Sequence, residues 1–398
     1  MPGNNDALDW IDAELAELAD RDLLRGLRTY AGRPGAVLRL DGREYVNFGS
    51  NDYLSLAADA RLARAAAQTL DLEGCGSGAS PLVVGHSTAL ARLEARLAEF
   101  EATEAALVFP SGFAANQGTI AALVGPGDAV FSDELNHASI VDGCRLSRAA
   151  VHIFPHGDCA RLEEQLRSTG SARRRLIVSD SLFSMDGDLA PLADLANLAS
   201  RYSTMLMVDE AHATGVFGRH GRGVCEALGV ENRIDVRVGT LSKALGAAGG
   251  FVCGRRSLVE WLLNRARPYV FSTALPPAIA AAAMASLDIV ESTPSRRGEL
   301  LGRAAQLRER LVAQGWNVGR SDSQIVPLVV GAAARALELS ARLAEGGVWA
   351  PAIRPPSVPE NASRLRICLC HGHDDAMIAK LLEALQAKAA VPCHPSPL

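Results

Sequence analysis

The chain has 398 residues, 48% of them hydrophobic and 21% charged, enough for one large or two moderate domains with real cores. A net charge of −5 gives no basic footprint for nucleic acid, and the longest apolar run, 278–287, is too short and alanine-rich to span a bilayer. The opening MPGNNDALDW lacks the basic region and apolar core of a signal peptide, and eight scattered cysteines suit a reducing, cytoplasmic setting.

Along the chain, residues 6–28 read as an amphipathic helix with Ile11, Leu15 and Leu18 on one face. Residues 37–40 and 44–48 flank Asp41-Gly42, a hairpin signal. The glycine-rich stretch 74–80 is neither a phosphate loop nor a dinucleotide fingerprint: no Gly-Lys follows it and no strand precedes it. It reads equally as an entrance loop or a linker. VGHSTA (84–89) approaches a hydrolase nucleophile elbow, which would make Ser87 a nucleophile. Pro81 blocks a longer strand there and the final glycine is Ala89, so Ser87 is expected to cap a helix over 88–101.

From 104 to 255 strand and helix patterns alternate, which predicts a largely parallel sheet of βαβ units. Strand 105–109 runs into Pro110-Ser111-Gly112-Phe113 and a helix to 123, a place where backbone N–H groups gather an anion. His137 follows strand 129–132, and a polar turn at 183–188 follows strand 176–179. Strand 205–208 ends in Asp209, with His212 three residues on; an acid there sits where ligands bind in α/β sheets. Helices are expected at 191–201, 278–291, 296–314, 332–345 and 374–389, with strands from 324 and near 365–370, and a frayed tail at 392–398. Cys368-Leu369-Cys370-His371-Gly372-His373 suggests either a metal site or a strand edge entering a loop; with no second cysteine pair the strand edge is preferred.

Lysine is scarce: three against 37 arginines. Lys380 and Lys388 lie near the C-terminus, so Lys243 alone serves the first 379 residues, in the small apolar stretch TLSKALG. Arginine stays protonated, whereas a lysine in such a setting can form a Schiff base.

Together these segments resemble the α-oxoamine synthases, pyridoxal-phosphate (PLP) enzymes that condense an amino acid with an acyl thioester. The matching blocks are SNDYL (50–54), SGFAANQG (111–118), DELNHASIVDGCRLS (133–147), FSMDGDLAPL (183–192), MVDEAHATGVFGRHGRG (207–223), TLSKALG (240–246), FSTALPP (271–277) and IRPPSVP (353–359). The resemblance implies an α/β protein of PLP-dependent transferase fold type I, with a mostly parallel seven-stranded sheet and a smaller α+β C-terminal domain. The domains would be an N-terminal segment 1–50, a PLP-binding domain 51–290 and a small domain 291–398.

It also implies roles. Lys243 would carry PLP and move the Cα proton, Asp209 would pair with the pyridine nitrogen, and His137 would stack on the ring. His212 and Ser184 would bond near the ring oxygen. Gly112, Phe113 and Thr240 would hold the phosphate, with Ser272 and Thr273 reaching it from the partner of a homodimer. Arg354 would grip the amino-acid carboxylate, with Asn51, Arg25 and Ser357 along the substrate side. IRPPSVP resembles the form in members that join L-alanine to pimeloyl-CoA or pimeloyl-acyl carrier protein. Glycine C-acetyltransferase chemistry stays open as the alternative within the family, a serine hydrolase at Ser87 outside it. The sequence departs from the pattern at Ser357, where threonine is usual, at Asp180, where a longer acid is common, and at Pro81 and Val84 after the glycine-rich loop.

Overall fold

The computed structural model describes residues 7–170 and 172–386, so Lys388 and the expected frayed tail lie outside the described residues. The chain forms two compact units, residues 51–302 and residues 1–50 with 303–398. The expected division differs from this at both ends. The N-terminal segment does not stand alone but joins the C-terminal residues, and 291–302 belong with the large unit.

The large unit is built on seven strands: β1 (Ala105–Phe109), β2 (Ala129–Asp133), β3 (Ala150–Phe154), β4 (Arg175–Asp180), β5 (Met205–Asp209), β6 (Val236–Thr240) and β7 (Gly250–Gly254). Their spatial order is β1-β7-β6-β5-β4-β2-β3. Strands β6, β5, β4, β2 and β3 pair in parallel, and β7 runs antiparallel to both its neighbours. The central strands are buried apolar runs because helices cover both faces of the sheet. Leu107, Phe109, Val130, Val178, Met207 and Val238 share one core with Ala115 and Ile120 of the helix Gly112–Leu123. Register sets Asp180 beside Asp209, and Gly250 opposite both Phe109 and Thr240. The carboxyl ends of the parallel strands therefore open on the same edge, where ligands bind in α/β sheets.

In the smaller unit Ile325–Gly331, Ser363–Cys368 and Ala352–Ile353 form an antiparallel sheet. The N-terminal hairpin Val37–Leu40 and Arg43–Asn47 turns at Asp41-Gly42, both with positive φ as a type I′ turn requires. Val348–Trp349 pairs in parallel with Val46 and Asn47, which ties the N-terminal segment to this unit. His373 fixes the same join: Nε2 donates to the Asn47 carbonyl at 3.0 Å and the ring stacks on Phe48 at 4.3 Å. Its Nδ1 accepts from the Cys370 N–H, so Cys368 to His373 is a strand leaving through a pinned turn.

One expectation is corrected, and one helix had no counterpart in the sequence analysis. The N-terminal helix covers only Trp10–Asp20 and buries none of its residues; Asp22, at φ 56°, stops it. The helix Ala60–Glu73, not foreseen, is capped by Asp59, whose side chain accepts from Arg61 N–H. Its alanine-rich face gave no clear apolar period.

Candidate active site

Lys243 lies in the loop between β6 and β7, half-buried, with Nζ 2.9 Å from His212 Nε2. His212 Nδ1 is 2.7 Å from the Tyr53 hydroxyl, which donates to Asn51 Oδ1 at 3.2 Å. A continuous polar chain therefore leads from Asn51 to the lysine. Tyr53, fully buried, stood unread inside the SNDYL block.

Asp209 ends β5 with both carboxylate oxygens accepting: Oδ1 from Ala211 N–H at 2.8 Å and Oδ2 from Asn116 Nδ2 at 2.6 Å. His137 caps the helix Ala138–Ser147, and its ring meets Phe113 edge-on at 6.2 Å. One side of that imidazole is open, yet desolvation, then the nearby Lys243 charge, lowers its pKa against the opposing pull of Asp209. The His137 backbone N–H donates to Asp180 Oδ2 at 2.7 Å. Burial first, then the Asp209 carboxylate, raises Asp180 well above the usual carboxylate range.

The helix Gly112–Leu123 starts at this edge, capped by Ser111 Oγ accepting from Ala114 N–H at 3.1 Å. Among the described residues the N–H groups of Gly112 and Phe113 have no acceptor, as expected of an open helix N-terminus. Gly250 lets β7 approach this turn: a Cβ there would lie 2.4 Å from Gly112 N. Thr240, buried behind Gly112, donates to the Gly249 carbonyl at 2.9 Å, and its oxygen lies 2.7 Å from the more exposed Ser242 hydroxyl. Ser242 is thus a second hydroxyl at this end, unread in the sequence.

Ser184 sits half-buried in the turn after β4, where Phe183 N–H bonds the Asp188 carbonyl. That turn is held by His156, another residue the sequence reading missed: Nδ1 meets Asp133 at 3.0 Å and Nε2 meets Asp188 at 2.8 Å. Burial works against the imidazolium there, but the two carboxylates outweigh it and hold its pKa up to about 10. Ser272 and Thr273 are half-buried and exposed, and among the described residues neither bonds to the Lys243 chain. Ser87 caps the helix Thr88–Phe100 through Leu90 N–H, while His86 pairs with Glu94, and among the described residues Ser87 Oγ bonds to no histidine or acid.

Arg25, Arg354 and Ser357 belong to the smaller unit. The Arg354 guanidinium donates to the carbonyls of Asp22 and Leu24, and Arg25 donates to the Pro355 carbonyl at 3.0 Å. Desolvation first, then the neighbouring Arg25 charge, lowers the Arg354 pKa. Two guanidiniums that repel each other favour an anion nearby.

The arrangement suits a group with an aldehyde, a flat ring with a basic nitrogen, and a phosphate. The structure offers an amine at Lys243, an acid at Asp209, a flat imidazole at His137, and N–H donors at Gly112 and Phe113.

The fold and this edge define a PLP-dependent transferase of fold type I. The model of the family "Aminotransferase class I and II" matches residues 43–385, and the chain belongs to that family. It is 52% identical over 381 residues to the 8-amino-7-oxononanoate synthase of Anaeromyxobacter dehalogenans strain 2CP-1, covering 96% of each chain. It is 49% identical to the enzyme of that name from Geobacter sulfurreducens, covering 94% of this chain and 96% of that one. Among solved structures, serine palmitoyltransferase from S. paucimobilis with bound PLP-myriocin aldimine superposes at TM-score 0.91 and 32% identity, covering 96% of this chain and 98% of that one. These relatives set the chain among the α-oxoamine synthases, with PLP as cofactor.

Proposed function

We infer that this chain catalyses the decarboxylative condensation of L-alanine with a pimeloyl thioester, giving 8-amino-7-oxononanoate, CO2 and the free thiol of CoA or acyl carrier protein. The observation that carries the reading is identity of 52% over 96% of both chains with an enzyme named for that product. Serine palmitoyltransferases superpose well but are only about a third identical, 32% in the structure named above.

When bound, PLP supplies an electron sink for the bond that breaks at the amino acid's Cα. Lys243 would hold the cofactor through its amine and would be the group that moves the Cα proton. His212, 2.9 Å away and backed by Tyr53, orients that amine. Asp209 would hold the ring nitrogen, His137 the ring face, and Ser184 and His212 the ring oxygen. Gly112, Phe113 and the Thr240–Ser242 hydroxyl pair would take the phosphate. Arg354 binds the alanine carboxylate with two parallel N–H bonds, and Arg25, Asn51 and Ser357 line the substrate path.

The enzyme works as a cytoplasmic homodimer in which Ser272 and Thr273 serve the partner's phosphate. Supporting this, Leu72, Val83, Val84 and Phe271 are 85%, 72%, 78% and 70% exposed, an apolar surface suited to a subunit contact. No helix among the described residues is long and apolar enough to cross a membrane.

The test is product analysis with L-alanine, glycine or L-serine, each with pimeloyl-CoA, acetyl-CoA or palmitoyl-CoA. Release of 8-amino-7-oxononanoate from alanine and pimeloyl-CoA is expected. Preference for glycine with acetyl-CoA, or for serine with palmitoyl-CoA, would overturn the reading.

A further inference from the structure

Between His137 and Asp209 runs a short hydrogen-bonded chain through two buried residues, Asn116 and Ser139, 1% and 0% exposed. Asn116 Nδ2 lies 2.6 Å from Asp209 Oδ2 and 2.9 Å from Ser139 Oγ. Ser139 Oγ lies 2.7 Å from His137 Nδ1, and the Ser139 backbone N–H points at the same nitrogen from 3.2 Å.

The donors in this chain can be assigned by elimination. A carboxylate only accepts, so the Asn116 amide must turn its NH2 toward Asp209. The second hydrogen of that NH2 then goes to Ser139 Oγ. A backbone N–H is always a donor, so His137 Nδ1 must be bare; a proton on it would face the Ser139 N–H. The Ser139 hydroxyl, already accepting from Asn116, donates to Nδ1 as well. Two donors converge on one ring nitrogen, and the ring proton is left on Nε2.

A second observation points the same way. The Asn116 carbonyl oxygen is buried and has no hydrogen-bond partner. An unpaired buried acceptor is costly. An apolar side chain of similar size would avoid that cost, so the NH2 group is what the position needs.

We propose that Asn116 and Ser139 are positioning residues that lock His137 as the neutral imidazole protonated on Nε2 and hold the Asp209 carboxylate in place. The charged groups that face the ring are Asp209 at the end of β5 and Lys243 after β6, with Asp180 at the end of β4 bonded to the His137 backbone. Asp209 alone would draw a proton onto His137; the two donors on Nδ1 oppose it. A neutral ring presents one N–H donor and adds no second cation beside the Lys243 amine. The inference rests on the site reading above for its functional meaning, though not for its geometry.

The test uses the PLP-loaded enzyme labelled with 15N at histidine ring nitrogens, with solid-state spectra recorded near neutral pH and His137 assigned by loss of its signals in His137→Gln. Bare Nδ1 with protonated Nε2 is expected; a protonated Nδ1, or an imidazolium, would overturn the proposal. Ser139→Ala should move the acid limb of the kcat/KM profile upward by about one pH unit, and Ser139→Thr should restore it. Asn116→Leu should weaken PLP binding about ten- to a hundredfold, read by cofactor release on dilution. An unmoved acid limb in a folded Ser139→Ala protein would also sink the idea. Failure of wild-type condensation with every substrate pair would instead fault the function, since the tautomer stays readable without turnover.

Discussion

Replacing Asp209 by asparagine keeps the shape of the side chain and removes its charge. In the native chain both oxygens accept, from Ala211 N–H at 2.8 Å and Asn116 Nδ2 at 2.6 Å. An amide has one oxygen, so one of these donors must face an NH2 group. Losing a hydrogen bond to a charged group costs about 1.5–3 kcal/mol, and an unpaired buried donor costs about 1–3 kcal/mol. The strand end is otherwise unchanged, so the variant should fold with stability lowered by about 1–3 kcal/mol. Its effect on the reaction should be larger. An amide cannot hold the pyridine nitrogen protonated, and removing one such preorganised electrostatic partner typically lowers kcat by about 10²–10³. The assay is steady-state turnover of L-alanine and pimeloyl-CoA on PLP-saturated enzyme, with thermal unfolding as the control for folding. Turnover within a few fold of wild type in a folded, PLP-loaded variant would show that Asp209 does not face the ring nitrogen.

Borohydride reduction of the holoenzyme should fix PLP to Lys243 and to neither other lysine; peptide mapping that finds label on Lys380 or Lys388 would refute the assignment. His156 has a folded pKa raised to about 10, above its unfolded value, so its contribution to stability is complete below about pH 6.5 and is lost as pH rises through about 10. The gap in Tm between wild type and His156→Gln should therefore be widest near the acid end of that window and shrink toward its alkaline end; a gap that grows with pH would contradict the double ion pair. Arg354→Lys should raise the alanine KM by about one to two orders of magnitude, because a point charge cannot make both parallel bonds, and should leave the pimeloyl-CoA KM nearly unchanged. An effect confined to the thioester would mean the carboxylate anchor lies elsewhere.

Much of this was legible from local signals. Alternating strand and helix patterns from 104 to 255 foretold the sheet, and the scarcity of lysine singled out Lys243. The reversal of β7 also leaves a trace: the link from Thr240 to Gly250 holds no helix, too short for a parallel crossover. Other features leave none. The pairing of Val348–Trp349 with Val46 and Asn47 joins distant parts of the chain through two residues. Asn116 and Ser139 are polar residues inside helices, which by themselves read as solvated positions; only the packing of those two helices against each other, and of the first against β1, β6 and β7, buries them. His156 likewise follows an edge strand and gains meaning only when Asp133 and Asp188 close on it.

The strand ends also suggest how one acid would come to serve the cofactor. Asp133, Asp180 and Asp209 terminate three strands of the same parallel set and are all buried, and such carboxylates cannot all stay charged without partners. Asp133 is matched by the His156 imidazolium. Asp180 is pushed toward its neutral form by burial and by Asp209, and accepts the His137 N–H. Asp209 accepts the amide hydrogens of Ala211 and Asn116, and among the described residues it forms no ion pair. What binds there is left to match the Asp209 charge, and in the proposed reading a protonated pyridine nitrogen would supply that match. The shorter side chain at Asp180 fits the same logic, since it lets the carboxyl cap His137 at 2.7 Å directly from the strand end.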